Sequence, residues 1–195
     1  MEDIHERGID IDNRRIYLHG SEPIDNEEPG VDYRMMNQFV KNLDALACTE
    51  GDIHVIMGTL GGDWNYGMGI YDAIKACPRR VIITAYAWAR SMSSIILQAG
   101  AERVLMPHCD FMVHYGTSAY DGHYLAVQSG VSFERRTEET MLRLYAERCV
   151  GGKCFRGWSV EEVMRFIEAR MKERSDWWMS AKEAVDYGFA DRVAG

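Results

Sequence analysis

Residues 53–62, IHVIMGTLGG, open the stretch that decides the fold, which extends from residue 52 to residue 121. In residues 53–62, a mostly apolar run leads into a glycine-rich turn. Residues 81–94, VIITAYAWARSMSS, hold a longer apolar run that leads into serines, and residues 111–114, FMVH, end at a histidine. Short apolar runs separated by helix-like segments are typical of buried parallel strands. The sequence therefore predicts an α/β fold in which parallel strands alternate with helices.

The length of 195 residues suits a single domain, residues 1–195, with one sizeable core. The first 14 residues are charged and short of apolar side chains, and we expect a short N-terminal arm there. Residues 21–30 hold two prolines and many acidic residues, which indicates a loop. Residues 31–48 carry apolar side chains at helical spacing and predict a helix.

The composition changes after His114. Residues 115–130 are rich in Gly, Tyr and Ser with weak periodicity, and they predict a mobile extended segment. Residues 132–150 predict a long charged helix, whose narrow apolar stripe consists of Phe133, Met141, Leu142, Leu144 and Tyr145. Capping boxes at Ser159 and Ser180 predict the starts of two further helices.

Composition and charge narrow the classes of partner. The formal net charge of −8 at pH 7 argues against a nucleic-acid surface, because phosphate binding needs clustered Lys and Arg. No apolar run approaches the roughly 18 residues of a membrane span, so no membrane partner is expected. Residues 1–7 are too polar for a secretory signal, and we therefore expect a cytoplasmic protein.

The five cysteines are an odd number, and three of them lie in or beside apolar segments. We interpret them as reduced thiols that pack as small apolar groups. A zinc or redox site at Cys149 and Cys154 would need two more ligands, and none has the usual spacing. The sequence thus predicts neither a metal nor an organic cofactor.

A hydroxyl, an imidazole and a carboxylate occupy positions suited to acyl-transfer chemistry. Ser91 lies where a predicted strand turns into a helix, and a serine nucleophile needs a base, a group that orients the base, and oxyanion donors. His114 ends a third strand and would take the proton of Ser91, while Asp176 would orient the imidazole. The Met92 amide at the helix start and an amide at Gly61–Gly62 would bind the oxyanion.

Each of these residues also has an ordinary structural interpretation. Ser91 is a common type of helix cap, His114 suits a core, Gly61–Gly62 suits a turn, and Asp176 suits solvent or a cap. The sequence around Ser91 lacks the Gly-x-Ser-x-Gly of α/β-hydrolases, and residues 67–69 do not complete a dinucleotide-binding fingerprint. From spacing alone, a serine-hydrolase site and a purely structural interpretation both remain open.

Taken in order along the chain, these motifs resemble the proteolytic subunit of the Clp protease, the ClpP family. That family shows a Ser-Pro-Gly-Gly turn, a Gly-x-x-Ile-Tyr-Asp helix, an Ala-Ala-Ser-Met-Gly motif with the nucleophile, and Met-Ile-His. The matching segments here are TLGG at 59–62, GMGIYD at 67–72, ARSMS at 89–93 and MVH at 112–114. Residues 179–191 resemble the family's ending, and its catalytic aspartate, a few residues earlier, falls on Asp176. The resemblance covers about residues 14–193.

The resemblance implies a crotonase-like (Clp/crotonase) fold with an extended handle helix, residues 132–150, whose apolar stripe is buried against a partner. It implies a Ser91–His114–Asp176 triad with oxyanion amides from Gly62 and Met92. The residues expected to bind substrate are Gly61, Asp63, Trp64, Tyr115, Gly116 and Thr117. Family members assemble as heptameric rings, usually two stacked as a tetradecamer. A homo-oligomer that cleaves polypeptides inside an enclosed chamber is therefore expected.

The sequence departs from the family pattern around the nucleophile. Leu60 replaces the proline of the glycine turn, which removes a fixed φ. Arg90 replaces the small residue before the nucleophile, and we expect its cation to contact substrate or to pair with a carboxylate. Ser93 replaces the glycine that follows Ser-Met.

Two further departures concern the third catalytic residue and the partners. The region between the handle and Asp176 is longer than usual, which leaves Asp110 and Asp186 as competing carboxylates. Only 14 residues precede Arg15, fewer than in the arm with which family members dock an ATP-driven AAA+ unfoldase. We therefore do not expect strong docking of an unfoldase, and any ATP would be used by that partner.

Two other functions compete with a serine endopeptidase. A catalytically silent ring subunit would keep the fold for assembly; the departures at Leu60, Arg90 and Ser93 favour it, and the intact Ser91–His114 pair opposes it. An acyl-CoA-binding enzyme of the crotonase type would use the paired amides for a thioester enolate. The same serine–histidine pair and the C-terminal motif disfavour that function.

Overall fold

The computed structural model describes residues 2–19 and 30–195, which contain eight strands in one sheet and seven α-helices. The strands are β1 (Ile9–Asp10), β2 (Arg15–His19), β3 (Ile53–Thr59), β4 (Val81–Arg90), β5 (Glu102–Leu105), β6 (Asp110–Val113), β7 (Trp177–Met179) and β8 (Arg192–Val193). The helices are α1 (Glu2–Arg7), α2 (Tyr33–Ala47), α3 (Trp64–Ala76), α4 (Met92–Leu97), α5 (Tyr124–Cys149), α6 (Val160–Arg174) and α7 (Ala181–Tyr187). The loop predicted for residues 21–30 lies, apart from Gly30, outside the described residues.

The central strands of the sheet are parallel. Strands β2, β3, β4, β5 and β8 run side by side in that order, and β1 adds to β2 in the antiparallel direction. The predicted alternation of parallel strands with helices is confirmed. The first 14 residues, expected to form an arm, contain α1 and β1, and β1 is held in the sheet by its pairing with β2.

Strand β4 is the branch point of the sheet. Its first half pairs with β5, whereas Trp88–Arg90 pair with β6. Between the two halves, β4 bulges against β3: Met57 and Thr59 face Ala85 and Ala89, and Ala87 takes a positive φ of 52°. A bulge bends a strand and increases its twist. The end of β4 is thereby carried away from β5 and towards β6.

The long helix α5 begins eight residues earlier than residue 132, the start predicted for the handle, so the prediction of an extended segment for residues 124–130 is wrong. The His123 ring accepts a hydrogen bond from the Leu125 amide at this end. Gly130 lies inside the helix, and the Tyr120 ring occupies the space where its side chain would be. Gly130 therefore serves as a packing site for an aromatic ring.

The apolar stripe of α5 is divided between the core and the surface. Met141, Leu142 and Tyr145 are buried in the chain's own core, so the expectation that the whole stripe faces a partner is wrong. Near the N-terminal end of the helix, by contrast, Tyr124 and Leu125 are 69% and 64% exposed. The two halves of α5 thus have different environments.

A buried ion pair ties the C-terminal strand to the sheet. Arg103 of β5 is 4% exposed, and its guanidinium and backbone amide donate to the Asp191 carboxylate at 2.6–3.2 Å. The same guanidinium donates to Gln98 and to the Gly188 carbonyl, at 2.7 and 2.8 Å. Burial raises the pKa of Asp191, but the hydrogen bonds and charge of Arg103 outweigh burial, and the pKa lies below its usual value.

We predict that Asp191→Ala lowers the free energy of unfolding by about 2–3 kcal/mol, because it leaves the buried guanidinium without its carboxylate. The loss is smaller than for a fully buried pair because the Asp191 side chain is 39% exposed. Since folding depresses the pKa of Asp191, its contribution is present near neutral pH and is lost as the pH falls through the folded-state pKa. Urea unfolding at pH 7 measures the change.

The matched control is Asp186→Ala. Asp186 lies on α7, and its contacts with Lys153 and Lys182 are surface pairs at 3.4 Å. We expect a much smaller loss of stability for this variant. Equal losses for the two variants would contradict the role assigned to the Arg103–Asp191 pair.

Candidate active site

Ser91 lies in the single-residue turn between the end of β4 and the start of α4, with φ 54° and ψ −130°. A positive φ is costly for a residue with a side chain and persists only where neighbours fix it. The Ser91 amide donates to the Met112 carbonyl at 3.0 Å, and its carbonyl accepts from the Ser94 hydroxyl at 2.6 Å. The Ser91 side chain makes no capping hydrogen bond to α4. Ser91 therefore occupies the N-cap position of α4 without a side-chain capping hydrogen bond.

Two buried hydroxyl groups support the turn at Ser91. The Ser94 and Tyr145 oxygens are 2.7 Å apart, and both side chains are almost fully buried. Burial raises the pKa of Tyr145 above its usual value, so the phenol keeps its proton. Tyr145 belongs to the buried half of α5, which therefore contributes to the shape of the turn at Ser91.

Strand register brings the imidazole and a carboxylate to Ser91. Strand β6 is antiparallel to β7, with Val113 facing Trp177, so His114 and Asp176 occupy the next pair of positions. His114 Nδ1 lies 3.0 Å from Asp176 Oδ1, and His114 Nε2 lies 2.8 Å from Ser91 Oγ. With the proton on Nδ1 donated to Asp176, Nε2 accepts from the Ser91 hydroxyl.

The two competing carboxylates lie elsewhere. Asp110 is at the opposite end of β6, facing Trp88 of β4. Asp186 contacts Lys153 and Lys182. Of the three acidic residues considered, Asp176 is the one in contact with His114.

The glycine turn after β3 approaches the serine closely. Gly61 has a φ of 102°, and a Cβ there would lie 2.6 Å from the Ser91 Cβ. Val31 pairs with the turn by donating to the Gly61 carbonyl at 2.7 Å and accepting from the Asp63 amide at 2.9 Å. Because amides alternate in direction along an extended chain, the Gly62 amide faces away from Val31.

Ser93, which stands where the resemblance leads one to expect a glycine, connects this turn to α4. Its buried hydroxyl donates to the Thr59 carbonyl at 2.9 Å. The Thr59 hydroxyl in turn accepts from the Gly61 amide at 3.4 Å. The substitution therefore adds a hydrogen bond between the two backbone segments that flank Ser91.

A cavity of about 400 Å³ opens beside the serine. Its lining includes Gly62, Asp63, Trp64, Ser91, Met92, His114, Tyr115, Gly116 and Thr117. The sequence-predicted substrate residues are thus brought together with one exception, because Gly61 packs against Ser91 and does not line the cavity. The Asp63 carboxylate caps α3 by accepting from the Asn65 and Tyr66 amides, at 2.8 and 3.1 Å.

The rest of the cavity lining was not predicted. It consists of Ile95, Ser118, Tyr120, Phe133, Glu134, Thr137 and Met141, of which the last four belong to α5. Phe133 and Met141 had been recognised as members of an apolar stripe, but nothing in the spacing related that stripe to Ser91. Burial raises the pKa of Tyr115, at the edge of the cavity, to about 12, so its phenol is neutral.

Arg90 does not line this cavity and pairs with no carboxylate among the described residues, so the expected ion pair is not formed there, and a contact with substrate stays a prediction. Its guanidinium lies over the Trp88 ring at 4.3 Å and near the Trp178 ring at 5.6 Å. Arg90, Met112 and Trp178 are neighbours across β4, β6 and β7. The cation–π contacts therefore join β4, which precedes Ser91, to β7, which follows Asp176.

The part of the chain that the structure describes holds no group of three His, Cys, Asp or Glu side chains placed to bind a metal ion. No helix in that part is long and apolar enough to cross a membrane. The five cysteines are free thiols, and burial raises the pKa of Cys109 to about 12.

Comparison with known proteins identifies the class of protein. A family model described as Clp protease matches residues 24–195. The chain belongs to the Clp protease family, as its motifs predict, and its α/β fold is the Clp/crotonase-like fold.

Individual relatives are distant but match over most of their length. The ATP-dependent Clp protease proteolytic subunit 1 of Corynebacterium jeikeium is 27% identical over 167 residues, covering 84% of this chain and 82% of the relative. The ATP-dependent Clp protease proteolytic subunits of Streptococcus sanguinis and Streptococcus pneumoniae are 27% and 28% identical, each covering 84% of this chain and 80% of the relative.

Proposed function

We propose that this chain is a serine endopeptidase in which Ser91, His114 and Asp176 form the catalytic triad. The observation that carries the proposal is the continuous hydrogen-bonded row from the Ser91 hydroxyl through the imidazole to the Asp176 carboxylate. Family membership supports it, because the relatives are named as proteolytic subunits. A structural role alone gives no reason for a strained serine to face an imidazole.

The chemistry follows from this arrangement. Ser91 Oγ attacks the peptide carbonyl carbon while His114 Nε2 takes the hydroxyl proton, and Asp176 stabilises the imidazolium. The amides of Gly62 and Met92 donate to the oxyanion. As the C–N bond breaks, His114 returns the proton to the leaving amine, and water then hydrolyses the acyl-enzyme by the same steps. Bond cleavage of this kind consumes water and needs neither ATP nor a metal.

The substrate of this reaction is proposed to be an extended polypeptide. The turn at Gly62 and the segment Tyr115–Ser118, which is neither helix nor strand, both line the cavity. Extended backbone of this kind can pair with a peptide by strand addition. The peptide would then run between the two segments, with its scissile carbonyl at Ser91.

We also propose that the chain assembles into heptameric rings, stacked in pairs through α5, that enclose the active sites in a chamber. The exposed apolar residues at the N-terminal end of α5 support this assembly, because Tyr124 and Leu125 lack cover within the chain. The relatives' names describe subunits of an ATP-dependent protease. Any use of ATP would fall to a partner unfoldase.

We predict that a fluorophosphonate probe modifies Ser91, because a hydroxyl hydrogen-bonded to an oriented imidazole is activated towards phosphorus as well as carbon. Mass spectrometry of the labelled peptide locates the adduct. Ser91→Ala should lose the label, and Ser132→Ala, at an exposed serine of α5, serves as a control for reaction at another serine. An assembled, folded protein without an adduct at Ser91 would favour the silent ring subunit, and turnover of a crotonyl thioester would favour the acyl-CoA enzyme.

We predict that Asp176→Asn lowers kcat on a fluorogenic peptide by on the order of 10²–10⁴-fold, because the amide no longer holds the histidine tautomer that accepts the serine proton. Asp110→Asn, at the far end of the same strand, is the matched control and should retain near wild-type turnover. Equal turnover of Asp176→Asn and wild type would show that another group orients His114.

We predict that Tyr124→Ser combined with Leu125→Ser reduces particle size in analytical ultracentrifugation, because it removes exposed apolar area from the proposed ring–ring contact. Glu139→Gln combined with Arg143→Gln, at exposed polar positions of the same helix, should leave the size unchanged. An unchanged sedimentation coefficient for the serine variant would contradict the role of this end of α5 in assembly.

A further inference from the structure

The charged side chains around the active-site cavity are unevenly distributed. Besides His114, its lining contains two ionisable carboxylates, Asp63 and Glu134, and neither Lys nor Arg. Asp63 is engaged as the cap of α3. Glu134, on α5, is therefore the carboxylate that lines the cavity without capping a helix.

Glu134 is held in position by side chains that line the cavity with it. It is half-buried on α5, its Oε1 accepts a hydrogen bond from the Ser118 hydroxyl, and the Tyr120 phenol also hydrogen-bonds the carboxylate. Burial raises the pKa of Glu138, one turn further along α5, and the charge of Glu134 raises it further. Lys172 and Arg135 act in the opposite direction on Glu138, and Lys172 is also engaged at 2.6 Å by Glu168.

The cavity lining also includes a set of apolar side chains. Ile95, Phe133 and Met141 line the cavity together with Trp64, while Ser91 and His114 lie at the same opening. A side chain adjacent to the bond under attack would enter along these apolar groups and meet Glu134. Lys and Arg match an apolar path that leads to a carboxylate, since each has an apolar stem and a cationic head.

We infer that the cavity selects a substrate with Arg or Lys as the residue whose carbonyl Ser91 attacks, with Glu134 as the specificity-determining residue. This inference rests on the proposed peptidase function. A guanidinium or ammonium group would form a charge-assisted hydrogen bond with Glu134, in addition to the hydrogen bonds that Ser118 and Tyr120 make with it. An apolar side chain would take water away from the carboxylate without giving it a cation, and an acidic side chain would be repelled.

The test uses fluorogenic peptides that differ only in the residue before the scissile bond, which is Arg, Leu, Gln or Glu. We expect kcat/KM to be at least about 10-fold higher for Arg than for Leu, and lowest for Glu. Glu134→Gln, which keeps an acceptor for Ser118, should lower kcat/KM for the Arg peptide by about 10-fold or more and leave the Leu peptide unchanged or improved. Glu139→Gln, on the exposed side of α5, should change neither.

A second readout does not depend on turnover. Peptidyl phosphonates with Arg or Leu side chains should label Ser91 at rates in the same order, and Glu134→Gln should remove the difference. Labelling of Ser91 without a preference for Arg, or a preference that survives Glu134→Gln, would overturn the inference while leaving the proposed peptidase in place. Absence of both labelling and cleavage would overturn the two together.

Discussion

The backbone pairing of β6 with two other strands is the constraint on which the rest of the site depends. Strand β6 is parallel to the end of β4 and antiparallel to β7. The positions that adjoin Met112 and Val113 of β6 are therefore aligned with positions of the two neighbouring strands. This register places Ser91, His114 and Asp176 in one row at 2.8 and 3.0 Å. A shift of one residue in either pairing would turn the side chains to opposite faces and separate the groups. The bulge at Ala87 is what allows β4 to reach β6.

Several contacts around Ser91 hold its strained backbone in place. A non-glycine residue at φ 54° stores conformational energy that the neighbouring contacts must offset. The Met112 carbonyl fixes the Ser91 amide, and the buried Ser94–Tyr145 pair fixes its carbonyl. Gly61 allows the adjoining turn to come within contact distance. The buried half of α5 carries Tyr145, which is part of the support of Ser91. The exposed half of the helix remains available for assembly.

The amino-acid sequence was sufficient to predict what depends on local pattern. Buried parallel strands, the capping boxes at Ser159 and Ser180, and the order of the motifs all have short-range signals, and the structure contains each of them. Long-range packing could not be read in this way. The composition of residues 115–130 suggested an extended segment, yet Gly130 lies in α5 against the Tyr120 ring, and Arg90 contacts Trp178, a residue far away in sequence. The cavity lining around Glu134 escaped prediction because it depends on how α5 packs against α4.

The central claim is that the imidazole of His114 carries its proton on Nδ1, towards Asp176, and leaves Nε2 free to accept from Ser91. Solid-state ¹⁵N NMR of protein labelled at histidine nitrogens measures this tautomer directly, with His114→Gln assigning the resonances. For the neutral imidazole of His114 we predict a protonated Nδ1 and an unprotonated Nε2, with a population of that tautomer that falls in Asp176→Asn. A His114 ring protonated on Nε2 in the wild-type protein would contradict it, because such a ring could not accept the proton of Ser91.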